Sequence, residues 1–177
     1  MPRRQLVFLL GDGGTVARQP LGALFCAGRS DCDGASKESM KASHSNTGPV
    51  ARILIAEDFP GYRRFICSTL GESLDLRVIA EVSDGLEAVQ KAAELKPDLI
   101  LLDIGLPTIN GIEAARQIRK LSPESKIVFV SQESSADVVE EALSTGAWGY
   151  VVKTKAASQL LAVVEAVVSG TRFVNGH

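Results

Sequence analysis

The 177-residue sequence predicts a doubly wound α/β domain: a five-stranded parallel sheet with helices on both faces. Three observations carry this. From Arg52 onward, short apolar runs of strand length alternate with segments whose apolar residues recur at helical spacing. Most of the runs are unbroken rather than alternating, as strands covered on both faces require. Turn formers and helix caps stand at the joints.

The first strand candidate is Ile53-Leu54-Ile55-Ala56, which ends in Glu57-Asp58. A helix is expected over 62–70, where apolar residues share one face, and Gly71 ends it. Leu76–Val82 is the second strand candidate. A second helix follows over 86–95, with Asp84 as its expected N-cap and Pro97 barring its continuation. Asp98-Leu99-Ile100-Leu101-Leu102-Asp103 is the third strand. The third helix covers 112–121, with Asn110 as its expected cap. Lys126-Ile127-Val128-Phe129-Val130 is the fourth strand, running into Ser131. The fourth helix, 137–145, has Ser135 as its expected cap and Gly146 beyond it. Gly149–Val152 is the fifth strand, followed by Lys153 and a last helix over 157–168. In that helix Leu160, Leu161, Val164 and Val168 are core candidates, and its exposed members are available to a dimer face.

At this size the common solution is the flavodoxin-like strand order 2-1-3-4-5. Right-handed crossovers then put the functional groove at the carboxyl ends of the strands, near the switch between strands one and three.

Residues 1–49 read differently. They hold 7 of the 16 glycines, and 30–48 shows no apolar period, so a disordered or weakly structured extension is expected. That part has six Lys/Arg and four Asp/Glu, or +2, against 13 and 17, or −4, in the remainder. Leu6-Val7-Phe8-Leu9-Leu10 before Gly11-Asp12-Gly13-Gly14 could open a nucleotide-binding loop, but Val16 stands where the dinucleotide fingerprint needs its third glycine. The same glycines interrupt the apolar run before it reaches the length of an export signal, despite Arg3-Arg4 ahead of it. The domain proper is expected over 50–172, with 173–177 as a tail.

Composition excludes several classes. The net charge of −2 provides no basic field for nucleic acid. No apolar run approaches the roughly 18–20 residues of a membrane span. Three cysteines, Cys26, Cys32 and Cys67, are an odd number without metal-type spacing, which suits a reduced, cytoplasmic protein. Cys67 is expected as a buried helix residue; His44 and His177 belong to no ligand constellation.

The polar residues at the strand ends carry the chemistry. Glu57 and Asp58 end strand one, Asp103 ends strand three, Ser131 ends strand four, and Lys153 follows strand five. The expected order brings all five to one sheet edge. Two carboxylates about 5 Å apart at an effective dielectric near 20 repel by roughly 3 kcal/mol. A hard divalent cation relieves that conflict, and carboxylates with a backbone carbonyl and waters suit Mg²⁺. Asp58 and Asp103 are the expected direct ligands, Glu57 a direct or water-mediated one, and the Gly105 carbonyl a backbone candidate. A carboxylate can also attack phosphorus, so Asp103 is the expected phosphoacceptor. Lys153 would neutralise charge on the transferring group, and Ser131 would donate its hydroxyl to it.

Residues 52–170 resemble the receiver domain of bacterial two-component response regulators. The stretch Asp103-Ile104-Gly105-Leu106-Pro107-Thr108-Ile109-Asn110-Gly111-Ile112-Glu113-Ala114 resembles the NarL/LuxR-type subfamily, together with the acidic pair, Ser131 before helix four and Gly149-Tyr150-Val151-Val152-Lys153. The resemblance implies a CheY-like fold and phosphorelay signalling, with Mg²⁺ as cofactor. A sensor histidine kinase or phosphotransfer protein would supply the phosphoryl group. It further implies a switching face of helix four, strand five and helix five, an unknown output protein, and a phosphorylation-dependent homodimer as an option. Tyr150 is implied as the aromatic switch partner of Ser131, turning inward when Ser131 engages the phosphoryl group.

There are departures. Thr154 follows Lys153 where a cis proline is common, and a cis non-proline bond costs roughly 2.5–4 kcal/mol, so none is expected. The acidic pair is Glu-Asp. Gln132 replaces a small residue and is expected to slow loss of phosphate from Asp103.

Plainer roles stand beside these. Asp58 could cap the first helix, Ser131 could be an ordinary residue at a helix start, and Tyr150 could be core packing. Relatives of this type usually carry a C-terminal helix-turn-helix domain, and only seven residues follow Gly170. The sequence is therefore read as a receiver without that output, hence without direct nucleic-acid binding, or as a fragment of a DNA-binding regulator. An aspartate-nucleophile phosphatase would need a second aspartate where Gly105 stands.

Overall fold

The computed structural model describes residues 50–173. The readings on 1–49, including Cys26, Cys32 and His44, and on His177 lie outside the described residues. Ten main elements alternate as expected: β1 (Ala51–Ala56), α1 (Pro60–Leu70), β2 (Leu76–Val82), α2 (Gly85–Leu95), β3 (Leu99–Leu102), α3 (Gly111–Leu121), β4 (Lys126–Ser131), α4 (Ala136–Ser144), β5 (Gly149–Val152) and α5 (Ala156–Val168). The strands form one parallel sheet in the order β2-β1-β3-β4-β5, a CheY-like fold.

Each strand feeds two cores, because successive side chains leave opposite faces of a sheet. Leu54, Ile100, Leu102, Ile127 and Phe129 face α2, α3 and α4. Ile53, Ile55, Leu99, Leu101, Val128 and Val130 face α1 and α5. This two-sided burial is why β1, β3 and β4 read as unbroken apolar runs. β2 departs from it: it is an edge strand, only half-buried, and carries polar Arg77 and Glu81. Its register against β1 slips between Ile53 and Leu54, which skips Ile79. β5, the other edge, is more protected. Phe173 returns to form a bridge with Gly149, and its N–H donates to the Trp148 carbonyl (2.8 Å). The boundary expected after Arg172 thus sits beside a residue bound to the sheet.

Helix starts follow the caps in two cases. The Asp84 carboxylate accepts from the N–H groups of Leu86 and Glu87, and the Asn110 side chain accepts from Glu113 N–H. Ser135 occupies the N-cap position of α4 but makes no capping hydrogen bond. Asp58 does not cap α1: the N-cap is Phe59, with Pro60 starting the helix, where a missing N–H costs nothing. Leu160 and Val164 are fully buried, and Leu161 and Val168 half-buried. Cys67 is half-buried on α1, and burial pushes its thiol pKa up.

Candidate functional site

The site is built by strand pairing that continues one residue past β1 and β3. The last paired residues are Ala56 and Leu102. Beyond them, Asp103 N–H donates to the Ala56 carbonyl (2.9 Å), and Glu57 N–H to the Val82 carbonyl (3.0 Å). Backbone hydrogen bonds therefore hold two carboxylates side by side at the sheet edge. On the other flank Ser131 pairs with Val152 at the end of β4 and β5. Lys153 comes next, in a short 3-10 turn (Lys153–Lys155) leading into α5.

Lys153 closes the group. Its Nζ lies 2.9 Å from Asp103 Oδ2 and 2.8 and 3.0 Å from Glu57 Oε2 and Oε1. Burial alone would depress its pKa, but the bonds to the two carboxylates outweigh that and hold it above the usual lysine range. Glu57 is only 1% exposed, and burial raises its carboxyl pKa against the lowering pull of Lys153. Its Oε1 also accepts from Phe59 N–H (3.2 Å), and Arg63 donates to its carbonyl (2.6 Å). Glu57 Oε2 is ion-paired with Lys153 but receives no hydrogen bond of good geometry, so a buried oxygen keeps a free lone pair.

Asp58 is exposed at the mouth. Glu57, Asp58 and Asp103 each offer one carboxylate oxygen, all within 4.8 Å of one another. Oxygen-only donors, one of them buried and under-satisfied, fit a hard cation such as Mg²⁺. Asp58, Asp103, Gly105, Ser131 and Lys153 all line one cleft of about 450 Å³, whose wall also includes Phe59, Gln132 and Glu133. Gly105 is exposed in this wall; a Cβ there would stand 3.6 Å from Asp103 Oδ2, an ordinary contact.

Ser131 is buried, and it is the last residue of β4 rather than a helix residue. Its Oγ accepts from Glu133 N–H (3.2 Å). The Tyr150 ring is already buried, tilted against Phe129 with centroids 6.3 Å apart, and its hydroxyl donates to the Glu133 carbonyl (2.8 Å). Burial pushes the Tyr150 pKa up. Ser131 and Tyr150 therefore hold the N–H and the carbonyl of the same residue, Glu133. The Lys153–Thr154 bond is trans; no peptide bond among the described residues is cis.

Three further residues contribute in ways the sequence did not assign. Gly111 sits where a Cβ would come within 2.0 Å of the Asp103 carbonyl, so only glycine lets α3 start against the loop that follows Asp103. Thr108 adopts a left-handed φ of 66° and its hydroxyl donates to the Asp84 carboxylate, tying that loop to the start of α2. That bond is the main cause holding the Asp84 carboxyl below the usual range. Tyr62, on α1, places its ring 4.8 Å from Lys153 Nζ. Gly111 and Thr108 stand in the stretch that carries the family resemblance, but no spacing rule gives their contacts, and none marks Tyr62; all three act through tertiary contacts.

This fold, with an acidic cluster and a lysine at its carboxyl edge, is that of two-component signalling domains. The chain belongs to the response regulator receiver domain family, which matches residues 53–165. It is 36% identical over 114 residues to the chemotaxis protein CheY of Listeria monocytogenes, covering 64% of this chain and 95% of that protein. It is 33% identical over 122 residues to the transcriptional activator protein ExaE of Pseudomonas putida, covering 69% of this chain but 57% of the activator. It therefore spans only about half to three-fifths of such longer relatives. The response regulator domain of Thermotoga maritima CheB superposes with a TM-score of 0.63 at 33% identity, over 68% of this chain and 97% of that one. A LuxR-family two-component response regulator from Aurantimonas superposes with a TM-score of 0.64 at 33% identity, over 70% and 89%. No described helix is long and apolar enough to cross a membrane.

Proposed function

We propose that residues 50–172 form a phosphorelay receiver of the NarL/LuxR type that accepts a phosphoryl group on Asp103. The observation that carries this reading is the double engagement of Lys153 with Asp103 and Glu57 at the cleft floor. An Asp103 carboxylate oxygen attacks the phosphorus of a phosphohistidine on a sensor kinase or phosphotransfer protein. The new P–O bond forms as the P–N bond breaks, and the leaving imidazole nitrogen keeps the electron pair and takes a proton from solvent. Glu57, Asp58, Asp103 and the Gly105 carbonyl would hold Mg²⁺, which would supply positive charge to the phosphoryl oxygens. Lys153 supplies a second, movable positive charge.

Ser131 reports the modification. Its Oγ accepts from Glu133 N–H, and its hydroxyl would donate to a phosphoryl oxygen. Drawing Ser131 toward the phosphoryl group pulls on Glu133, whose carbonyl anchors Tyr150. The signal thus passes to the start of α4 and to the α4–β5–α5 face, where an output protein or a second copy would bind. The chain works in the cytoplasm in this reading.

Incubation with acetyl phosphate and Mg²⁺, followed by intact mass, tests it. One added phosphoryl group is expected on the parent and none on Asp103→Ala. No addition to the parent, or equal addition to both, overturns the assignment.

A second reading is the receiver portion of a DNA-binding regulator. It is favoured by the 57% coverage of the activator relative. Gene sequence beyond His177 that encodes a helix-turn-helix would support it.

A further inference from the structure

We propose that Tyr62 is a positioning residue for Lys153, holding the ammonium at the cleft floor through the face of its ring; the functional part of this rests on the receiver reading. Tyr62 is in the first turn of α1, a few residues beyond Glu57 and Asp58. Its ring centroid lies 4.8 Å from Lys153 Nζ, within cation–π range. The ring is itself fixed. It packs against Phe65, one turn along, with centroids 5.3 Å apart, and sits among the side chains of the α1–α5 core. The hydroxyl is buried without a hydrogen-bond partner, so no polar contact explains the choice of this side chain.

The need for such a contact follows from what surrounds the ammonium. Its hydrogen-bond partners are the carboxylates of Glu57 and Asp103. Both are also the groups a divalent cation would recruit, as all three acidic side chains lie within 4.8 Å. A cation in the cluster competes with Lys153 for the same oxygens. The Tyr62 ring does not enter that competition, since its attraction comes from the quadrupole of the ring face. It keeps the ammonium beside Asp103 while the carboxylates change partners. A lysine without that contact has a long flexible stem and an open cleft to swing into.

The test compares Tyr62→Phe, which keeps the ring, Tyr62→Leu, which keeps apolar bulk without a ring, and Lys153→Met alone and combined with Tyr62→Leu. Phosphorylation by acetyl phosphate and Mg²⁺ is timed by intact mass. Tyr62→Phe should match the parent, and Tyr62→Leu should slow by about three- to tenfold. In the Lys153→Met background Tyr62→Leu should add no further loss. The second readout is the NMR signal of the Lys153 ε-methylene protons. A ring face over them shifts the signal upfield in the parent and in Tyr62→Phe, and the shift should vanish in Tyr62→Leu. A Tyr62→Leu rate equal to the parent's, an equal loss in both backgrounds, or an ε-methylene signal unmoved by Tyr62→Leu overturns the proposal. A parent that takes up no phosphoryl group overturns the receiver reading and the role of Tyr62 in it, even where the NMR signal shows the ring contact.

Discussion

Gly111→Ala should damage the site through the backbone, with no functional side chain removed. An added Cβ would meet the Asp103 carbonyl oxygen at 2.0 Å, its carbon at 2.8 Å and Ile104 Cα at 2.9 Å. All three are main-chain atoms, so no rotamer change relieves the overlap. Reaching the 3.0 Å floor of real Cβ contacts needs a shift of at least 1.0 Å at the oxygen. Gly111 N–H also donates to the Ile104 carbonyl at 2.9 Å, and such a shift along that bond would break it. Overpacking costs about 1–3 kcal/mol and the lost bond about 1 kcal/mol. Reduced freedom of the unfolded chain returns about 0.4–1 kcal/mol. The net is about 2 kcal/mol, or roughly 6–10 °C in Tm for a domain of this size. The loop that carries Gly105 and begins at Asp103 moves with it, so acetyl phosphate reactivity should fall as well. Urea unfolding and timed intact mass measure the two effects. Gly105→Ala is the control, because its Cβ would meet only Asp103 Oδ2 at 3.6 Å; its stability should stay within about 0.5 kcal/mol of the parent. A Gly111→Ala chain that melts within about 2 °C of the parent and reacts at its rate would refute this reasoning.

Other perturbations probe the neighbouring groups. Lys153→Met leaves two carboxylates without their ammonium and should cost about 2–4 kcal/mol. Mg²⁺ should then raise its Tm more than the parent's, and equal shifts would count against a shared cation role. Asp84→Asn tests a pH effect. The Asp84 carboxyl is lowered from 3.8, so its stabilisation is complete above that value and is lost as pH falls through the folded-state value. The stability gap between parent and variant should be constant near neutrality and close in acid; a gap that widens in acid contradicts the sign. Tyr150→Phe removes the bond to the Glu133 carbonyl and should cost about 0.5–1.5 kcal/mol, with faster amide exchange over 132–135. Unchanged exchange there would show that the bond does not hold the loop. Gln132→Ala, at an exposed position on the cleft wall, should speed loss of phosphate from Asp103; decay no faster than the parent's would sink that role.

The strand order and the acidic cluster were legible because they follow from one-dimensional pattern. Apolar runs such as Leu99-Ile100-Leu101-Leu102 must be covered on both faces, and that burial recurs in β1, β3 and β4. The chain rules for parallel sheets then bring Glu57, Asp103, Ser131 and Lys153 to one edge. Boundaries slipped by a residue or two, since a helix end depends on which cap wins. Asp84 and Asn110 cap their helices with side-chain hydrogen bonds, whereas Ser135 holds the N-cap position of α4 without one.

By itself, the sequence determined the α/β class, the topology and the residues able to do chemistry, because periodicity and residue type are local properties. Only the tertiary structure decided how those residues meet. It set Lys153 on both Glu57 and Asp103, left Asp58 exposed, and joined Ser131 and Tyr150 through Glu133. It also brought Tyr62 over Lys153 and pressed Gly111 onto the Asp103 carbonyl. Apart from the local Ser131–Glu133 bond, these contacts join residues from 8 to 96 positions apart, so their geometry depends on the packing of whole elements. The receiver motif names the participants, and the distances among them are set by how the helices settle on the sheet.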